Sequence, residues 1–184
     1  MSGQTWIETL ALSTEDGPTV DGTMGSASIL PVACVYTFPP NYFRIGTGFR
    51  VTASGRISCD ATTPGTLLLA SSGEFGFNPS GSAITLNVDG KTDVAWSLTL
   101  DVTCRSTGPA ATFMEQGVFT SEAVAGSPLP SVGGCGSVLV PSTPVLSTGY
   151  SSASPSPFDL FVALSAGTAT TAITCTQYKI ESLN

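Results

Sequence analysis

The sequence predicts an all-β protein: an antiparallel jelly-roll or Greek-key sandwich of about eight strands with an extended N-terminal segment. Three observations predict it. Long stretches alternate strictly between apolar and polar residues, the period of a half-buried strand. Turn signals rich in Gly, Pro, Asn and Asp punctuate them. No stretch carries an apolar helical period with caps. Loops longer than hairpins need, over residues 124–136 and 141–157, favour crossovers between sheets rather than a meander.

Taken in order, a first strand is expected over 6–12, starting at Trp6. Residues 13–27 hold Gly17, Pro18, Gly22 and Gly25 and few large apolar side chains, so they read as an extended arm, either mobile or laid across a neighbouring molecule. A short strand over 28–32 follows. In 49–59, Phe49, Val51, Ala53, Ile57 and Cys59 share one face and Arg50, Thr52, Ser54, Arg56 and Ser58 the other. Short strands are expected over 66–71 and 84–88, the latter turning through Asp89-Gly90, a strong hairpin signal. Residues 94–105 repeat the alternation, with Trp96, Leu98, Leu100, Val102 and Cys104 inward. Strands over 113–121 and 137–140 come next. Phe158, Leu160, Val162 and Leu164 then alternate with Asp159, Phe161, Ala163 and Ser165, and a last strand over 172–180 puts Thr174, Thr176, Tyr178 and Ile180 on one side. Further turns fall at 78–81 and 106–109. The organisation is therefore an N-terminal strand and arm over 1–27 and a sandwich domain over 28–184.

Composition narrows the function. Charged residues make up 10% against the usual share of about 25%, while hydrophobic residues make up 41%. Such a chain folds, and Ser and Thr replace charge on its surface. A surface poor in Lys and Glu costs little side-chain entropy to immobilise, which suits large permanent contacts. The net charge is −7, and residues 1–43 and 106–178 carry no basic side chain. Nucleic acid is not an expected partner, since it needs clustered Lys and Arg, and neither is an anionic membrane surface. No apolar run reaches transmembrane length. Residues 1–4 lack the basic start of a secretory signal, and Glu8 breaks the apolar stretch after them.

Histidine is absent, which removes the standard Ser-His-Asp and Cys-His nucleophiles and His-ligated metals. The five cysteines are odd in number and widely spaced, so no disulfide framework or metal site is expected. Cys59, Cys104 and Cys175 read as small buried hydrophobes, and Cys135, within Gly133-Gly134-Cys135-Gly136, as an exposed loop thiol. Asp60, Glu74, Asp101, Glu115, Glu122 and Asp159 read as solvated acids on outward strand positions or loops. No enzymatic activity and no cofactor are expected.

Two segments stand out as contact candidates. In 36–43, four aromatics and two prolines crowd together; they either cap one end of the sandwich or form a patch, with Phe38, Pro39, Pro40, Tyr42 and Phe43 touching a partner. In the arm, Glu15, Asp16, Val20 and Met24 are the candidates.

The stretch 38–58, FPPNYFRIGTGFRVTASGRIS, resembles one recurrent in virion proteins of tailed bacteriophages. WSLTLDVTCRSTGPAATFMEQGVF over 96–119 and TQYKIESLN over 176–184 are similar to the same group. The likeness covers the chain from about residue 28 onward and leaves the arm outside it. It implies a trimeric jelly roll that serves as a capsid decoration (cement) protein or a head- or tail-associated fibre module. The expected partner is the major capsid protein, and the expected location is the capsid surface of a virion made in a bacterial cytoplasm. The alternative is a receptor- or carbohydrate-binding jelly roll on a head or tail fibre.

Overall fold

The computed structural model describes residues 7–71, 83–125, 135–144, 146–147 and 150–183. Its strands are β1 Ile7–Leu12, β2 Val20–Asp21, β3 Ala27–Ser28, β4 Tyr36–Phe38, β5 Gly48–Cys59, β6 Thr66–Ser71, β7 Ile84–Thr85, β8 Lys91–Ser106, β9 Thr112–Ser121, β10 Gly136–Val140, β11 Ser156–Phe158, β12 Leu160–Leu164 and β13 Ala172–Leu183. One 3-10 turn, Val32–Cys34, interrupts them. Among the described residues no helix is long and apolar enough to cross a membrane.

All pairings are antiparallel. The large sheet runs β1-β13-β5-β8-β9-β10, with β2 also on β13; a second runs β3-β12-β6-β7; β11 and β4 form a small pair. The partners are nested: β1 and β2 with β13, β3 with β12, β4 with β11, β5 with β8, β6 with β7. The chain is thus a long hairpin folded over on itself, and β9–β10 is a further hairpin added at one margin.

Alternation decides which side chains enter the core. Phe49, Val51, Ala53 and Ile57 of β5 and Trp96, Leu98, Leu100, Val102 and Cys104 of β8 are buried, as their spacing predicts. They join Leu67, Leu69, Leu160 and Val162 from the second sheet and Phe38 and Phe158 from the small pair in one cluster. Phe49 and Phe158, with ring centroids 5.2 Å apart, tie the large sheet to the small pair.

Four expectations change. A bulge between Cys175 and Gln177 inserts Thr176 into β13 and shifts its parity. Ile173 and Cys175 face inward before it, and Tyr178 and Ile180 after it, so the last strand does not keep one face from 174 to 180. Asp89-Gly90 does make a turn, with Gly90 at φ 63°, but not a hairpin. It carries the chain from β7 in the second sheet to β8 in the first, where Lys91 pairs with Cys59. The strand expected over 28–32 shrinks to Ala27–Ser28, because the chain enters the 3-10 turn just after Pro31.

The arm is the fourth. It runs along this chain's own β13. Ser13 N–H donates to the Tyr178 carbonyl, Gly17 N–H to that of Cys175, and Val20 and Asp21 pair with Ile173 and Ala172. Gly17 permits the close approach: a Cβ there would lie 1.9 Å from the Ile29 carbonyl oxygen. Backbone hydrogen bonds thus order a segment whose side chains could not. The turn at 106–109 joins β8 to β9 as expected, whereas Trp6, Glu74 and the turn at 78–81 lie outside the described residues.

Candidate interaction surfaces

The aromatic stretch closes one end of the core. Phe38 and Phe43 are fully buried, and their rings sit 4.7 Å apart by centroid. Phe43 reaches Phe113 at 4.9 Å, and Phe113 reaches Tyr150 at 4.9 Å. Neither Phe38 nor Phe43 can anchor a partner, because their area is already spent on this cluster; the capping reading holds for both. Only the tip remains outside: Pro39 and Pro40 are exposed, Asn41 turns the chain at φ 59°, and Tyr42 is half-buried.

Among the arm candidates, Val20 is buried against β13 and is likewise no contact residue. Glu15, Asp16 and Met24 are exposed. Asp16 lies 3.7 Å from Arg56, with both side chains more than half exposed. Asp21 fastens the turn that carries Met24: its carboxylate accepts from the backbone and side chain of Thr23, which holds its pKa down.

The outer face of the large sheet is a polar ladder. Thr52, Ser54, Ser97 and Thr99 point outward, and Arg50 and Lys179 on that face are matched on the same chain. Arg50 donates to Asp101 through Nε at 2.6 Å and Nη2 at 2.8 Å, a bidentate pair. Lys179 Nζ lies 3.0 Å from Glu181. A groove of about 370 Å³ opens beside the β13 bulge, lined by Leu12, Ser13, Thr52, Ser54, Gln177, Tyr178 and Lys179. The Tyr178 ring is buried, so it offers that groove no aromatic platform.

Toward the other margin the same face turns apolar. Val118 on β9 and Leu139 on β10 pair in register and are 39% and 54% exposed. Leu146, 50% exposed, bridges to Met114 beside them. Sequence reading passed over this strip. Its signal was present in β9, where Met114 and Val118 hold the parity opposite to Phe113 and Phe119.

Of the carboxylates, Asp60 behaves as expected. It is partly exposed, accepts from Thr62 N, Thr63 N and Thr170 Oγ1, and has its pKa lowered by those bonds. Asp159 is half-buried and accepts from Ser28 Oγ at 2.7 Å. Glu115 overturns its expectation. It shares the inward parity of Phe113 and Phe119, is 1% exposed, and neither carboxylate oxygen has a hydrogen-bond partner. Burial pushes its pKa up to about 7.

All five cysteines are free thiols, with Cys135 exposed and the other four buried. Three of them sit beside bulges. Cys104 Sγ donates to the Ser106 carbonyl and Cys175 Sγ to that of Gln177, each at 3.3 Å, while Cys59 donates to that of Asn87. Burial raises the Cys175 thiol to about 11. No group of three or more potential metal ligands occurs among the described residues.

No protein-family model matches the chain, and a search among curated proteins found no match.

Proposed function

We propose that this chain is a structural virion protein: a jelly roll that binds the outer surface of an assembled phage capsid as a homotrimer and stabilises it. The nested strand pairing supports the jelly-roll half of the reading, since winding a long hairpin into two facing sheets is how that fold forms. The β9–β10 hairpin then widens one sheet. The likeness of residues 38–58 and 96–119 to phage virion proteins supports the biological setting.

One observation carries the assembly role. The strip of Met114, Val118, Leu139 and Leu146 is apolar and outward on a sheet face whose centre carries Thr52, Ser54, Ser97, Thr99 and the Arg50–Asp101 pair. Such a face is suited to a protein surface and poorly suited to nucleic acid or an anionic membrane. A saccharide binder would present exposed rings over a polar groove, and the groove beside β13 has none; this favours assembly over the carbohydrate alternative. A cement protein stabilises by mass action, binding the lattice and not its separated subunits.

The test is binding of the purified protein to undecorated capsids. Saturable binding that raises the temperature of capsid disruption is expected, with light scattering giving about three times 18.7 kDa for the free protein. Leu139→Lys and Val118→Lys should abolish binding while leaving unfolding of the free protein nearly unchanged. Full binding by both variants would remove the strip from the contact. No binding by the parent protein would end the cement reading.

A further inference from the structure

We propose that Glu115 is a proton-controlled latch for the β9–β10 margin of the large sheet: protonated, it packs in the core and the margin stays closed; ionised, it drives that margin open.

The argument begins with where Glu115 lies. On one side it pairs in register with Val102 of β8, the middle of a long ladder. On the other side the ladder to β10 ends at Val140, opposite Gly117, two residues short of Glu115. Further along the chain Leu146 bridges Met114, Ser147 N–H donates to the Phe113 carbonyl, and Phe113 N–H donates to Ser147 Oγ. Glu115 thus lies between the β9 positions that these two short segments reach.

Its surroundings leave a charge nowhere to go. The inward positions flanking it are Leu100, Val102 and Cys104 on β8, Phe113 and Gly117 on β9, and Val140 on β10. Of these only the Cys104 thiol titrates, and burial keeps it protonated. Tyr150, beside Phe113, and Tyr42, beside Phe43, are titratable rings at this end. The nearest charges on β8, Asp101 and Arg105, occupy the opposite, outward parity. Burial is the sole cause of the raised Glu115 pKa, so no cation compensates the ionised form.

An ionised, unpartnered carboxylate in such a place must reach water or be neutralised. The central side cannot yield, because β8 is held by both β5 and β9. The five-residue β10 strand and the 146–147 bridge can, since each is held mainly by β9. Opening them also moves Leu139 and Leu146, so the apolar strip is intact only while the latch is protonated.

Amide hydrogen exchange tests this on the full chain between pH 5.5 and 8, with rates corrected for intrinsic base catalysis. With a closed-state pKa of about 7 and an ordinary one when open, the opening constant for Val138, Leu139 and Val140 should rise more than about tenfold across that range. Glu115→Gln should show no such rise, and the amides of β5 should show none in either protein. An equal rise in Glu115→Gln, or a loosening of the whole sheet together, would overturn the latch. Carbon NMR titration of the Glu115 carboxyl in the parent protein gives a second reading that does not depend on the variant folding. A midpoint in the ordinary glutamate range would sink the proposal.

Discussion

The indole of Trp96 reaches across Gly55, its register partner on the neighbouring strand, and Nε1 donates to the carbonyls of Arg56 and Thr174, both at 3.1 Å. Gly55 makes that reach possible. The bulge in β13 swings the Thr174 carbonyl over it, so that a Cβ on residue 55 would lie 1.9 Å from that oxygen. The ring then stacks on Phe119 at 5.7 Å. One aromatic side chain on β8 thus binds β5, β13 and β9 together.

Gly55→Ala should therefore destabilise by about 1–3 kcal/mol, the usual cost of overpacking. Trp96→Phe should cost a similar amount, because two carbonyls lose their donor, and Trp96→Ala roughly 3–5 kcal/mol. Urea unfolding followed by fluorescence or circular dichroism measures all three. A neutral Gly55→Ala would show that the bulge relaxes freely.

Removal of residues 13–25 should lower stability and not merely release a tail. It strips the edge partner from β13 between Cys175 and Tyr178 and uncovers Val20's site. Gly17→Ala is the finer probe: the chain must move away from Ile29, at a cost of about 1–3 kcal/mol. Thermal unfolding of both variants checks this, and an unchanged midpoint for the deletion would return the arm to the status of a linker.

Stability should be greatest on the acid side of neutrality. Glu115 has a folded pKa raised to about 7, so it favours folding fully below its ordinary value of 4.5 and loses that contribution as pH climbs through 7. Asp21 and Asp60 have lowered pKa values and act in the opposite sense, losing their contribution as pH falls through the acid range. The optimum therefore lies between the two windows. At pH 8, Glu115→Gln should be more stable than the parent by on the order of 2–3 kcal/mol, with the difference shrinking toward pH 5. Denaturant midpoints at the two pH values report it.

One thiol should react promptly under native conditions. Cys135 is exposed, whereas Cys34, Cys59, Cys104 and Cys175 are buried with their thiol pKa values raised by that burial. A thiol-specific chromophore should release about one equivalent quickly, and Cys135→Ser should remove that phase. Fast labelling of Cys175 would mean that the large sheet opens at β13 far more readily than its packing implies.

Local period alone determined the β class and the inward sets on β5, β8 and β12. Alternation is a property of consecutive residues and survives in any antiparallel sheet. The same parity rule pointed to Glu115, since Phe113 and Phe119 fix the face of β9, but a carboxylate's default of solvation overrode it. The tertiary structure alone decided what depends on partners distant in sequence. A bulge at Thr176 appears only when β13 is laid against β5. Asp89-Gly90 has the same local chemistry whether it closes a hairpin or turns a corner between sheets. Phe38 and Phe43 look like contact residues until Phe113, Tyr150 and Phe158 close around that end. The arm is held by carbonyls of residues about 160 positions away, through backbone bonds that no side-chain pattern announces.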